Sequence, residues 1–264
     1  MYALKYQKPV TLPDALKSVE GDAKFLAGGQ SLIQAMKLRM TSSSTLVDIS
    51  KLSELKGISV SDNAVTVGAM TRHAEVALSV QIQQSIPALA KLAHGIGDPM
   101  VRNMGTLGGS LAYADPAACY PSALLALAGT VQTNERTISA DNFFVNLYET
   151  CLKPGELIQS VSFQRPLQAA YIKFKHPASR LAMVGVFVAR YKAEVRVGVT
   201  GCKTYAFRAT QLEKLLSQKF SPDVIEGVEL PWSDMLSDIH AGAQYRAALI
   251  TILAARAVEQ CLAS

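Results

Sequence analysis

Phe25-Leu26-Ala27-Gly28-Gly29-Gln30-Ser31-Leu32 is the stretch from which the rest of the chain is read. A short apolar strand runs into two glycines and then into helical spacing at Leu32, Ala35, Met36 and Arg39. Glycine has no Cβ, so the backbone there adopts positive φ and approaches a neighbour closely. Successive free N–H groups at such a turn, beside a helix start, suit the oxygens of a phosphate. The stretch is neither G-x-x-x-x-G-K-[ST] nor G-x-G-x-x-G, so the nucleoside triphosphate loop and the Rossmann fingerprint are both absent. A bare Gly-Gly is also what an ordinary strand–turn–helix corner requires.

A second glycine cluster lies about 80 residues further on, in Arg102-Asn103-Met104-Gly105-Thr106-Leu107-Gly108-Gly109-Ser110. It reads as another loop that exposes its backbone. Two such loops, each beside a strand or helix start, are suited to clamp a diphosphate from both sides. The pair points to a dinucleotide.

Composition limits the alternatives. The chain has 264 residues, 49% of them apolar, which is ample for a buried core and excludes disordered and fibrous classes. Only 18% are charged, against about 25% in a typical soluble domain, which suits surfaces covered by other subunits. The net charge is +5, but the basic residues are scattered in groups such as Lys37/Arg39, Lys173/Lys175 and Arg190/Lys192/Arg196. None makes the aromatic-interleaved basic stripe of a nucleic-acid groove, so no nucleic-acid partner is expected. Cys119, Cys151, Cys202 and Cys261 contain no C-x-x-C pair, so no iron–sulfur or zinc site is expected in this chain. Met1–Val10 lacks a signal-peptide pattern, and the longest apolar stretch, about Ala117 to Val131, is interrupted by Pro121-Ser122 and too short to span a bilayer. The expectation is a cytoplasmic protein without membrane insertion.

Other chemistries lack support. His73, His94, His176 and His240 are far apart in sequence without H-E-x-x-H or H-x-H spacing, so no metal site is expected. No G-x-S-x-G elbow is present. Asp115-Pro116 reads as a helix start, Trp232 as packing, and Lys175, two residues from Lys173 on a strand, as a solvent-facing or functional cation.

Up to residue 165 the chain alternates short strands (Tyr2–Tyr6, Lys24–Ala27, Thr45–Ile49, Ile58–Val60, Val65–Val67) with short helices (Leu12–Val19 capped by Thr11, Thr71–Ser79, Pro87–His94). Pro116–Ala128 reads as an apolar helix capped by Asp115, followed by a hairpin of Val131–Thr133 with Ile138–Ala140 and a strand Glu156–Phe163. The character changes at Gln164-Arg165-Pro166. Beyond it come three longer strands, Ala170–Lys175, Met183–Tyr191 and Glu194–Thr200. The last two alternate valines with period two, as in an antiparallel hairpin with one buried face. Helices Arg208–Ser217, Pro222–Gly227 and Ala243–Leu262 complete an α+β unit. Two domains are expected, 1–165 and 166–264.

The two glycine segments are recognisable together. Ala27 to Leu32, continuing to Met36-Lys37-Leu38-Arg39, resembles the first FAD-binding signature of the flavoprotein subunits of molybdenum hydroxylases, the medium subunit of carbon monoxide dehydrogenase and the FAD domain of xanthine dehydrogenase among them. Arg102 to Leu111 with Ala114-Asp115-Pro116-Ala117-Ala118 resembles the second signature, and Lys173-Phe174-Lys175-His176-Pro177-Ala178-Ser179-Arg180 the start of that family's C-terminal domain. The resemblance runs in order along the whole chain.

It implies a FAD-binding domain of the vanillyl-alcohol-oxidase (PCMH) type followed by a small domain with a three-stranded antiparallel sheet and helices. Ala27, Gly28, Gly29, Gln30 and Ser31 would wrap the diphosphate and ribose, with Leu32, Ile33 and Gln34 continuing the contact. Thr106, Leu107, Gly108, Gly109 and Ser110 would hold the diphosphate from the other side. Cys119, Ile158 and Lys175 match positions beside the cofactor. The sequence departs from the family at Met104, where a basic residue is common, at Tyr113, where His is common, and at Cys119, where an acid usually hydrogen-bonds the cofactor.

The implied function is electron relay, with no catalytic residue in this chain. Substrate would be oxidised at a molybdenum cofactor on a large subunit. Electrons would then pass through [2Fe-2S] clusters on a small subunit to this FAD, in a dimer of heterotrimers, a heterohexamer. A free-standing flavin reductase of the same fold and a flavin-free scaffold subunit are the competing readings.

Overall fold

The structure, a computed structural model, describes residues 2–263. Near the N-terminus three short strands form a parallel sheet in the order Lys5–Gln7, Thr45–Asp48, Lys24–Leu26. Thr11 caps helix Leu12–Lys17, its hydroxyl accepting from the Asp14 N–H at 3.3 Å, and this helix is the crossover between the first two strands in sequence. Asp48 at the end of the central strand accepts from the Tyr6 hydroxyl and pairs with Lys8 at 3.0 Å. These bonds, with that from the Ser50 N–H, hold its carboxyl at about 2 against the cost of burial.

A second, antiparallel sheet runs Ile58–Val60, Ala64–Gly68, Ile158–Gln164, Thr130–Thr133, Thr137–Ser139. Ser61-Asp62-Asn63 makes the turn between its first two strands, as its chemistry predicts. The third sheet is a meander of Gln168–Lys175, Ala182–Arg190, Val195–Thr200 and Phe207–Arg208. Three strands were expected there. The two-residue fourth is added because the chain doubles back along Val199 before entering helix Thr210–Gln218.

The valine alternation places Val184, Val186, Val188, Val195, Val197 and Val199 in one core with Leu212, Leu216 and the inner side of helix Ala243–Leu262. The opposite face is buried too, which corrects the expectation of one buried face. Phe187 and Ala189 join the core of the N-terminal part, and every residue of Val195–Thr200 is buried. Helix Tyr120–Ala126 covers that face so closely that a Cβ on Gly198 would lie 2.1 Å from the Ser122 carbonyl oxygen. Arg196, on the same strand, donates from Nε to the Leu125 carbonyl and from Nη2 to Asp141.

Helix Tyr120–Ala126 is shorter than the Pro116–Ala128 expected. Residues 115–118 form a turn, in which the Asp115 carboxylate accepts from the Ala117 N–H at 2.8 Å. The carbonyls of Pro116 and Ala118 accept from the Thr200 hydroxyl, and that of Pro116 also from the Gly201 N–H, which commits them to the neighbouring sheet instead of a helical ladder. Pro222–Val224 is a short 3-10 turn, whereas helix Ala243–Leu262 has the expected bounds. Among the described residues no helix is long and apolar enough to cross a membrane.

Candidate functional site

The parallel sheet ends at the first glycine segment. Strand Lys24–Leu26 delivers Ala27-Gly28-Gly29-Gln30-Ser31 to the start of helix Leu32–Lys37, and Gly29 has φ +69°, which places the turn in the left-handed region. Among the described residues the backbone N–H groups of Gly28, Gly29, Gln30 and Ser31 donate to no protein acceptor. A run of four unengaged, half-buried donors is the local structure that suits an anionic diphosphate.

The second glycine segment is built differently from the exposed loop the sequence suggests. It is the junction of helix Pro99–Met104 with helix Leu107–Tyr113, and the N–H groups of Leu107 to Ser110 are already engaged. Leu107 donates to the Thr71 carbonyl, Gly108 to that of Ala69, and Gly109 to the Thr106 hydroxyl at 3.2 Å. What this segment offers is close approach and hydroxyls. A Cβ on Gly28 would lie 2.1 Å from the Met104 carbonyl oxygen, so the two segments touch, backbone on backbone. The Ser31 and Ser110 hydroxyls make no hydrogen bond among the described residues.

Between them opens a cleft of about 750 Å³. Ala27 to Leu32, Thr106, Gly108, Gly109, Ser110, Cys119 and Ile158 line it, so the structure brings together most of the residues singled out from the sequence. Four lie elsewhere. Ile33 packs beneath Gly29, Gln34 is on the exposed side of its helix, and Leu107 is fully buried in the core. Lys175 is exposed and not among the lining residues. Lys173 lines the cleft in its stead, because a bulge between Phe174 and Lys175 breaks the alternation that would place both lysines on one face.

The cleft also contains residues to which the sequence assigned no role. His73 starts helix His73–Leu78, is only 5% exposed, and donates its backbone N–H to the Gly105 carbonyl. Burial, with the Arg102 charge adding to it, pushes its imidazole down to about 4, so the ring is neutral at pH 7. Nothing local in the sequence marks His73, whose contact with Gly105 is tertiary. Glu156, before strand Ile158–Gln164, accepts from Arg136 Nε and Nη2, the Thr133 hydroxyl and the Lys153 N–H. The Arg136 bonds hold its carboxyl at about 2 despite burial. At another part of the cleft wall Tyr113 and Tyr148 meet edge-on at 5.4 Å beside Asp115, whose carboxyl is raised by burial.

The donor run, the unengaged hydroxyls and apolar walls from Ile49, Met70, Ile96 and Ile158 fit a dinucleotide with a planar ring system. Residues 2–165 match the family described as FAD binding domain in molybdopterin dehydrogenase. The nicotine 6-hydroxylase medium subunit of Paenarthrobacter nicotinovorans is 33% identical over 272 residues, 97% of this chain and 96% of that protein. The carbon monoxide dehydrogenase medium chain of Hydrogenophaga pseudoflava is 30% identical over 96% of this chain and 95% of its own length. Among solved structures, CO dehydrogenase from Oligotropha carboxidovorans superposes with TM-score 0.89 at 27% identity, covering 99% of this chain and 98% of that one. Quinoline 2-oxidoreductase from Pseudomonas putida 86 does so with TM-score 0.87 at 27% identity, over 98% and 97%. The chain belongs to this family: it is a FAD-binding medium subunit of the molybdenum hydroxylases, an oxidoreductase subunit with the expected α+β fold.

Proposed function

We propose that this chain is the electron-relay subunit of a three-subunit molybdenum hydroxylase. On this reading it receives electrons from [2Fe-2S] clusters on a small subunit, itself supplied by a molybdopterin-binding large subunit, and passes them to a terminal acceptor. Two copies of each subunit would make a dimer of heterotrimers in the cytoplasm. The domain division is proposed as 1–165 for FAD binding and 166–264 for the family's C-terminal domain. When bound, FAD supplies the ability to take electrons singly and release them in pairs.

The chain's own residues bind, orient and shield. The N–H groups of Gly28 to Ser31 receive the diphosphate, and this donor run is the observation that carries the reading. Ser31 and Ser110 supply hydroxyls, with Thr106 and Gly109 at the junction behind them. Ile158 forms an apolar wall, and Lys173 presents its ammonium from the strand that also carries Lys175. That ammonium favours negative charge in the cleft.

The test is a visible spectrum of the purified full chain after incubation with FAD and desalting. Retained flavin bands that dithionite bleaches support the reading. A colourless, folded chain contradicts FAD binding by the isolated subunit, and copurification with co-expressed small and large subunits then tests the relay separately. Activity of the lone chain with a nicotinamide reductant would favour the free-standing reductase.

A further inference from the structure

We propose that the turn Gly95-Ile96-Gly97 and the three cations gathered on it, Lys173, Arg102 and Arg180, form an oxyanion subsite of the cleft that receives a phosphate or carboxylate group of the terminal electron acceptor. The inference rests on the reading that the cleft takes FAD and passes its electrons on. The turn follows helix Pro87–His94. The Lys173 ammonium donates to the Gly95 carbonyl at 2.8 Å. Arg102 Nη1 donates to the carbonyls of Ile96 at 3.0 Å and Gly97 at 3.3 Å, and Arg180 Nη1 reaches the same Gly97 oxygen at 3.4 Å. Two guanidinium groups thus share one neutral acceptor.

Ordinary helix capping accounts for one of these charges, because a helix C-terminus carries only about half a negative charge. Three are present, and among the described residues no carboxylate lies within 4.0 Å of any of them. Asp98, next in the chain, caps helix Pro99–Met104 by accepting from the Val101 N–H. Of the carboxyls that line the cleft, Glu156 is bonded to Arg136 and Asp115 to the Ala117 N–H. Like charges gathered on one turn repel, and an oxyanion among them relieves the repulsion. Both arginines keep the means to bind one: Nε and Nη2 of each donate to nothing among the described residues. A guanidinium fork matches the oxygens of phosphate and carboxylate. The subsite is also open. Arg180 is exposed, Lys173 and Arg102 are half-buried, and Lys173, Arg180, Ile96 and Gly97 line the cleft. The FAD diphosphate has its own donors in the N–H run of Gly28 to Ser31, which leaves these cations for a molecule that exchanges with solvent.

The experiment uses the full chain loaded with FAD. In calorimetric titrations with inorganic phosphate the wild type is expected to bind, and Arg180→Glu to bind about tenfold more weakly. The photochemically reduced chain is then reoxidised by ferricyanide, an anion, and by a cationic ferrocenium. Arg180→Glu is expected to slow the first about tenfold and speed the second, while Arg180→Lys stays within about threefold of wild type on both. Absence of phosphate binding, or rates with the two acceptors that Arg180→Glu leaves unchanged, overturns the inference while leaving FAD binding intact. FAD affinity that falls about tenfold in Arg180→Glu assigns the cations to the cofactor's own diphosphate and overturns it as well. A wild-type chain that takes up no FAD overturns the reading beneath the inference, and its claim on the acceptor with it. Phosphate titrations of the flavin-free wild type and Arg180→Glu then decide whether the anion subsite stands by itself.

Discussion

The Lys173 ammonium lies 3.5 Å from the Cys119 thiol, and its other acceptors are the carbonyls of Gly95 at 2.8 Å and Arg180 at 3.0 Å. All three are neutral oxygen or sulfur acceptors, and no carboxylate pairs with this lysine among the described residues. A half-buried cation without a counter-anion thus faces the cleft. Cys119, 5% exposed and immediately before helix Tyr120–Ala126, occupies the place from which a carboxylate would neutralise it.

A thiol accepts hydrogen bonds weakly, and a carboxylate accepts them strongly. Where it accepts a hydrogen bond from a cofactor hydroxyl, Cys119→Asp is therefore expected to tighten FAD binding by about 1 kcal/mol, roughly fivefold. Cys119→Ala should change it less than about twofold. Flavin fluorescence titration checks both, and a weaker Cys119→Asp complex would count against cofactor contact at this position.

Gly28→Ala should separate the two glycine segments. Its Cβ would fall 2.1 Å from the Met104 carbonyl oxygen and 2.7 Å from the Gly105 Cα, both backbone atoms. Relief requires backbone movement, with an expected loss of about 1–3 kcal/mol in urea unfolding and loss of retained flavin. Gly242→Ala, where the Cβ meets nothing within 4 Å, is the control and should stay within about 0.5 kcal/mol.

The chain should lose stability in mild acid because of His73. The unfolded imidazole takes up a proton near 6.5, whereas the folded one resists it down to about 4. Between these values the unfolded state holds more protons, so stability falls as pH drops from 6.5 to 4 and levels off below. The full difference is about 3 kcal/mol. Urea unfolding of the flavin-free chain at several pH values measures the slope, and His73→Leu should flatten it.

Glu156 produces a second, more acidic dependence. Its folded carboxyl is held at about 2 against an ordinary 4.5, so the stability that it contributes is complete above 4.5 and lost as pH falls towards 2. Glu156→Gln removes the charge that Arg136, Thr133 and Lys153 converge on. It should cost about 2 kcal/mol at pH 7 and abolish that acid dependence. Thermal melts across pH 2–5 distinguish it from the His73 effect.

Local chemistry was sufficient for much of this protein. The Gly28-Gly29 turn, the Thr11 cap, the Ser61-Asp62-Asn63 turn and helix Ala243–Leu262 follow from conformational preference and periodicity, which act within a few residues. The two glycine segments and their order carried the family. Interactions between distant segments decided the rest. The N–H groups of Leu107 and Gly108 looked free in sequence and are spent on Thr71 and Ala69. Lys173 and Lys175 share the same parity, and only a bulge in their pairing with strand Ala182–Arg190 separates them. His73 becomes a cleft residue because Gly105, thirty-two positions away, closes over it and removes its water. A hydrogen-bond donor, a strand register and a desolvated imidazole each depend on a partner brought from elsewhere in the chain. Sequence therefore picks out the two glycine segments, and tertiary structure determines which of their atoms are left free to meet a ligand.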